Sequence, residues 1–167
     1  MTMSEQLTGE RAELTQTLRL HRGFLRQTVA GLTDEQAATR STVSELCLGG
    51  LIKHVATVEQ RWARFAVGGA DAMNSEPLDW AGQFRMTDGE TLAGLLAHYD
   101  EVAAATDELI ATHDLDAAHP LPQAPWFEPG ATWSVRRVLL HLIAETAQHA
   151  GHADILRESI DGAKTMG

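Results

Sequence analysis

Near its C-terminal end the chain reads "ETAQHAGH", which sets Glu145, His149 and His152 at spacings of four and three. On a helix these three side chains leave one face. With Glu145 at zero and 100° per residue, Val138, Leu142, His149, His152 and Leu156 fall within roughly 60° of it. Arg136, Asp154 and Glu158 fall on the far side. The apolar residues share the face of the carboxylate and the imidazoles, so this polar set is expected to interrupt the buried side of its helix. A buried carboxylate is costly unless a positive group meets it.

A second stretch, "GGLIKHVATVEQRWARF", carries a matching anomaly. His54 shares its stripe with Cys47, Leu51, Val58, Arg61 and Phe65. Two helices with ligand-type residues midway along their core faces meet the requirement of a bundle-core metal site. His54, Glu145 and His149 offer two neutral imidazoles and one carboxylate. That set suits a zinc-like ion at about 2.0–2.2 Å and leaves a coordination position open. Nickel, iron or cobalt accepts similar ligands, so the residues favour zinc without fixing the metal. The competing reading is a structural network in which Glu145 and His149 pair with each other or with Arg61.

Other reactive residues have plainer readings. Cys47 lies seven residues before His54, about 10 Å along the axis, too far to share a metal; it reads as a small buried core residue. His21 reads as a hydrogen-bonded core histidine. Arg61 either grips an anionic substrate or cofactor or neutralises a buried acid. Trp62, Trp80, Trp126 and Trp133 either line a pocket mouth or plug helix–loop junctions. His98, His113, His119 and His141 receive no role.

The elements that must position these groups repeat their apolar residues at helical spacing, and none alternates like a strand. The first helix is expected from about Ser4 to Gly31, with Leu7, Leu14, Leu18, Leu25 and Val29 on its stripe. A polar connector, "LTDEQAATRST", follows. The second helix spans about Ser44 to Val67 and stops at Gly68-Gly69. The third, capped by Thr87 or Asp88, carries Leu92, Leu95, Tyr99, Val102, Leu109 and Ile110 as far as Thr112. The fourth runs from after Thr132 to near Ser159. Two long connectors, 69–86 and 113–132, are unusual between bundle helices, and loops of that length are often functional. The expected architecture is all-α: one four-helix bundle with two long connectors, occupying residues 1–167.

Composition removes several functions. A formal charge of −10, with no basic run, argues against nucleic acid and anionic membranes as partners. No apolar run reaches the roughly 20 residues of a membrane span. The first residues carry no apolar signal core and there is one cysteine, so a reducing, cytoplasmic location is expected. Arginine far outnumbers lysine and alanine is abundant, the codon signature of a GC-rich genome.

The stretches "LGGLIKHVATVEQRW" and "WSVRRVLLHLIAETAQHAGHADILRE", with "GLTDEQA" between helices, resemble the thiol-dependent branch of the DinB/YfiT-like superfamily. The resemblance covers nearly the whole chain. It implies a bundle holding a divalent metal through one residue of the second helix and two, four apart, of the fourth: His54, Glu145 and His149. Many relatives have histidine where Glu145 stands and end in H-x-G-Q; here His152 takes the glutamine position. That leaves it a partner of a ligand, an alternative ligand or a proton carrier, with the first or catalytic assistance favoured. The Glu form resembles the mycothiol-dependent maleylpyruvate isomerase branch.

The implied activity is S-transfer or isomerisation with a low-molecular-weight thiol such as mycothiol or bacillithiol. The GC-rich composition favours mycothiol. A thiol of pKa about 8.5 is mostly protonated at neutral pH, and coordination to a zinc-like ion deprotonates it. The implied partners are therefore a small thiol and an electrophile. A homodimer is compatible with such a bundle, although no stretch marks its interface. The alternative is a non-enzymatic, metal-binding or stress-associated bundle with a structural core network.

Overall fold

Leucines recurring at helical spacing draw the first helix together, and in the computed structural model, which describes residues 7–166, it is α1 (Gly9–Gln27). Leu14, Leu18 and Leu25 are buried on it, with Val29 in the turn beyond. The expected start at Ser4 lies outside the described residues. The connector holds a short helix, α2 (Asp34–Ala38), that the polar composition concealed; Thr33 and Gln36 close a reciprocal capping box at its start.

The long helix α3 (Leu48–Met73) begins four residues later than expected. The Thr42 and Ser44 hydroxyls accept the backbone N–H groups of Ser44 and Leu46, which diverts that segment into turns. The stop at Gly68-Gly69 is a kink: Gly69 adopts φ 74°, and a last turn runs on to Met73. The next helix, α4 (Leu92–Thr112), is capped by Thr91 rather than Thr87 or Asp88. Gly89, at φ 84°, makes a turn there, and the Glu90 carboxylate takes the Thr87 N–H instead.

Within the second long connector, β1 (Ala118–Pro120) pairs antiparallel with β2 (Thr132–Ser134), His119 opposite Trp133. Both strands are too short to show alternation in sequence. Ser134 caps α5 (Val135–Asp161), which Gly162 ends in the left-handed conformation.

The four long helices form the expected all-α bundle. Helix α1 packs on α5 and α4, and α3 also packs on α4 and α5. Thus α1 and α3 face each other across the diagonal, while α3 and α5, which carry His54 and the Glu145–His149 pair, are neighbours. Two apolar clusters fill the interior, one around Leu25, Leu51, Tyr99 and Leu156, the other around Leu18, Phe65, Ile110 and Leu142. Between them lies a polar layer to which each helix contributes: Arg22, Glu59, Thr106 and Thr146, all buried. Arg22 donates from Nε to Glu59 Oε2 at 3.2 Å and from Nη2 to Glu59 Oε1. Its Nη1 reaches Asp107 of α4 at 2.9 Å.

One expectation about α5 needs correcting. Its buried residues are Val135, Val138, Leu139, Leu142, Thr146, Ala150, Ala153 and Leu156. Their mean direction lies roughly 80° round the helix from Glu145. Glu145, His149 and His152 therefore occupy the flank of the buried stripe and are only partly buried. The small residues Thr146, Ala150 and Ala153 take the interior beside them.

The Arg22–Glu59 pair sits where neither charge can be hydrated: the residues are 4% and 0% exposed. Removing one partner from such a pair costs about 3–5 kcal/mol, whereas replacing both by apolar groups costs far less. Arg22→Met, which strands Glu59, is expected to lower unfolding free energy by about that amount. Adding Glu59→Leu should recover much of the loss. Urea denaturation followed by circular dichroism checks both; a double variant as unstable as Arg22→Met would contradict this account.

Candidate metal centre

His54 reaches the site through an unusual local packing. A Cβ on Gly50 would lie 1.9 Å from the carbonyl oxygen of Phe84, and one on Gly49 would lie 2.2 Å from Met86 Sδ. Only glycine lets the first connector lie this close across the start of α3. That contact sets the Phe84 ring on the His54 imidazole, with centroids 4.0 Å apart and planes 27° from parallel. His54 is consequently 8% exposed, and its Nδ1 is buried without a hydrogen-bond partner among the described residues.

Across the α3–α5 groove stands the other half of the set. His149 presents its ring edge to His54, with centroids 4.9 Å apart. Its Nε2 lies 3.6 Å from Glu145 Oε2, and its Nδ1 lies 3.3 Å from His152 Nδ1. One ligand atom from each of His54, Glu145 and His149 can be chosen so that all lie within 4.8 Å of one another. These three could hold a metal ion. Among the described residues no arginine lies within ion-pair distance of Glu145: its near neighbours are His149 and His141, the latter at 3.9 Å.

The charges follow from these surroundings. Burial, reinforced by the neighbouring His149, pushes the His54 imidazole down to about 4 against the attraction of Glu145. It is therefore neutral at pH 7, the form in which imidazole ligates. Interaction with His149 holds the Glu145 carboxyl below its ordinary value, against the desolvation of half burial. Burial likewise lowers His141, with Glu145 opposing.

The site opens into a cavity of about 550 Å³ whose lining includes His54, Arg61, His141 and all four tryptophans. Trp62 and Trp133 stack at 4.8 Å to make a wall, and His141 packs against both. Trp80 and Trp126, 69% and 71% exposed, stand at the rim. The pocket-mouth reading thus describes Trp80 and Trp126, whereas Trp62 and Trp133 also pack into the apolar cluster beneath, as the plug reading has it. Arg61 does not approach Glu145; it donates to Asn74 Oδ1 at 2.8 Å and to Glu76 O at 3.2 Å.

Of the other residues singled out in the sequence, Cys47 is a buried free thiol at the start of α3, its Sγ 3.8 Å from Phe84 O. His21 sits half-buried beside Phe24 rather than in the core. His141 was passed over, although its i, i+4 spacing to Glu145 places it within 40° of the same face. Phe84 and Gln83, which also touch this site, come from a connector that carries no periodic signal.

A family model described as mycothiol-S-transferase matches residues 13–162. A solved structure described as the conserved protein of a locus from Enterococcus faecalis resembles the chain with a TM-score of 0.64. The two share 15% identity over 94% of this chain and 100% of that one, a likeness that shows the fold alone. Among curated proteins none matches. No helix of the described residues is long and apolar enough to cross a membrane.

The depressed His54 has a consequence for stability. Between about pH 6.5, where an unfolded histidine titrates, and about 4, the unfolded chain holds a proton that folded His54 refuses. Metal-free protein therefore loses stability as pH falls through that window, and this group contributes nothing above it. By pH 5 the loss from this group is on the order of 2 kcal/mol. Urea titrations of chelator-treated protein near pH 7.5 and near pH 5 should show a smaller pH effect in His54→Asn than in wild type. An identical pH effect in both would refute the assignment.

Proposed function

The chain belongs to the mycothiol-S-transferase family, and from that premise we propose that it is a divalent-metal-dependent thiol S-transferase or isomerase, with zinc the favoured ion and mycothiol the favoured thiol. The observation that carries this reading is the meeting of His54, Glu145 and His149 within 4.8 Å at the wall of an aromatic-lined cavity.

The residues fit a divalent ion on three counts. Two imidazoles and a carboxylate are a zinc-type donor set with a coordination position left over. The buried His54 Nδ1 has no hydrogen-bond partner within range among the described residues, although the Gln83 side chain is close enough to influence the ring. Among the described residues Glu145 has imidazoles as its ion-pair neighbours, and no lysine or arginine, in contrast to Glu90 and Asp107. An ion held there supplies Lewis acidity, which favours the thiolate form of a thiol that meets it.

The protein's own groups do the positioning. Phe84 clamps the His54 ring face-on, so its nitrogens keep their direction. His152 engages Nδ1 of His149; when His149 donates there, its Nε2 carries the lone pair and faces the Glu145 side. That makes His152 a positioning residue in the place where relatives carry glutamine. The aromatic walls around Trp62 and Trp133 keep the approach to the site poor in water, which strengthens electrostatic interactions there. A structural polar core exists as well, but it is the separate Arg22–Glu59 layer, and it has no part in the cavity.

Untagged protein should carry about one divalent ion per chain by elemental mass spectrometry. His149→Ala should lose the ion and mycothiol-dependent turnover together while keeping its helical circular dichroism. His152→Ala should weaken metal affinity or turnover by roughly 10–100-fold, and His152→Gln should restore part of it. Wild-type protein that takes up no metal even from added zinc would overturn the reading.

A further inference from the structure

The charge of the cavity points to what enters it. The chain has 23 Asp and Glu against 13 Lys and Arg, yet no carboxylate lines this cavity. Its polar lining consists of three neutral amides, the Thr57 hydroxyl, the indoles, the two histidines His54 and His141, and one permanent cation, Arg61. The nearest acid to the inner end is Glu145, which belongs to the candidate metal centre.

Arg61 is held but not neutralised. Both acceptors that fix its guanidinium, Asn74 Oδ1 and the Glu76 carbonyl, are uncharged. The Glu76 carboxylate goes to Arg64 at 3.0 Å instead. Among the described residues no acid lies within ion-pair distance of Arg61, in contrast to Arg19, Arg22, Arg26, Arg136 and Arg157. Asparagine and carbonyl contacts thus orient a guanidinium whose remaining N–H donors are available for a carboxylate. It stands two helical turns from His54, about 10 Å along the axis of α3. The wall between consists of the stacked Trp62 and Trp133, with Phe127 edge-on to both.

We propose that the electrophile accepted here is a hydrophobic, preferably aromatic, carboxylate: its acid group docks on Arg61, its apolar body lies along Trp62 and Trp133, and its reactive carbon is carried toward His54. This deepens the proposed function and rests on it for the word electrophile. The carboxylate subsite itself needs neither metal nor turnover, so it can be read separately.

The test is calorimetric titration of the full chain with para-butylbenzoate and with para-butylbenzamide, which differ in charge and little in shape. The acid is expected to bind roughly 10–100-fold more tightly than the amide. In Arg61→Gln that preference should vanish while the amide binds as before, which certifies that the cavity is intact. Arg64→Gln, whose arginine already has an acid, should keep the preference. If Arg61→Gln also weakens the amide, Arg61→Lys decides: a preference retained supports the subsite, and one lost overturns it. A preference unchanged in Arg61→Gln but abolished in His54→Ala places the carboxylate on the ligand cluster and overturns the proposal. Competition between the acid and saturating mycothiol assigns the subsite to the thiol and overturns it equally. Absence of bound metal leaves every one of these comparisons readable, so it would defeat the proposed function without deciding this one.

Discussion

A charge pair on the bundle diagonal governs how everything else is placed. Arg22 and Glu59 cannot reach water, so the two helices that bear them are tied at mid-height, and Asp107 brings in a third. Such a layer contributes little net stability compared with apolar packing, because desolvation offsets most of the attraction. It does restrict register: sliding α1 past α3 by one turn would strand both charges among leucines. Helix α5 joins the layer only through Thr146, whose hydroxyl is satisfied by Leu142 O of its own helix. From that level onward its interior face carries the small Thr146, Ala150 and Ala153, while Glu145, His149 and His152 are turned to the flank.

That turn is what makes a site. Arg22 is already engaged by Glu59 and Asp107 in the interior. On the flank Glu145 meets imidazoles, and the opposite flank of α3 supplies a third donor in His54. The connectors complete the enclosure. Gly50 admits the Phe84 backbone, Phe84 covers His54, and the second connector brings Trp126 and Phe127 over the cavity. The two stretches that looked too long for a bundle are the walls and rim of its cavity.

Periodicity made the bundle legible because apolar residues at helical spacing have few other ways to be buried. The stripe of α4 is the buried face observed, with Thr106 added, and that of α1 holds for Leu14, Leu18 and Leu25 while missing the buried Thr15 and Arg22. The same reasoning misplaced the polar set by some 80° on α5, since hydropathy gives no weight to threonine and alanine as interior residues. On α3 it singled out His54 yet overlooked Glu59, the fully buried acid, whose partner lies 37 residues earlier on another helix. A pairing at that separation leaves no local mark. The strands β1 and β2 and the capped helix α2 escaped for a simpler reason: three or five residues cannot establish a period. The donor set His54, Glu145 and His149 was legible because two helices each carried ligand-type residues at mid-length. Phe84, Gln83 and His141, which hold or border it, were not.

The candidate centre gathers two groups that the protein's own side chains leave incompletely matched. His54 keeps a neutral ring where a charged one would be driven out, and leaves a nitrogen without a partner. Glu145 stays ionised beside imidazoles instead of beside a guanidinium. Each is tolerable alone, since the ring is stacked and the carboxylate keeps some contact with water. Together they form a local deficit of positive charge facing an otherwise acid-free cavity. A cation bound there would satisfy the orphaned nitrogen and the acid at once, and would stabilise the folded chain by mass action, because the unfolded chain does not bring these three residues together. Here the bundle's arginines are committed elsewhere: Arg22 to the core, Arg64 to Glu76, Arg61 to the far end of the cavity.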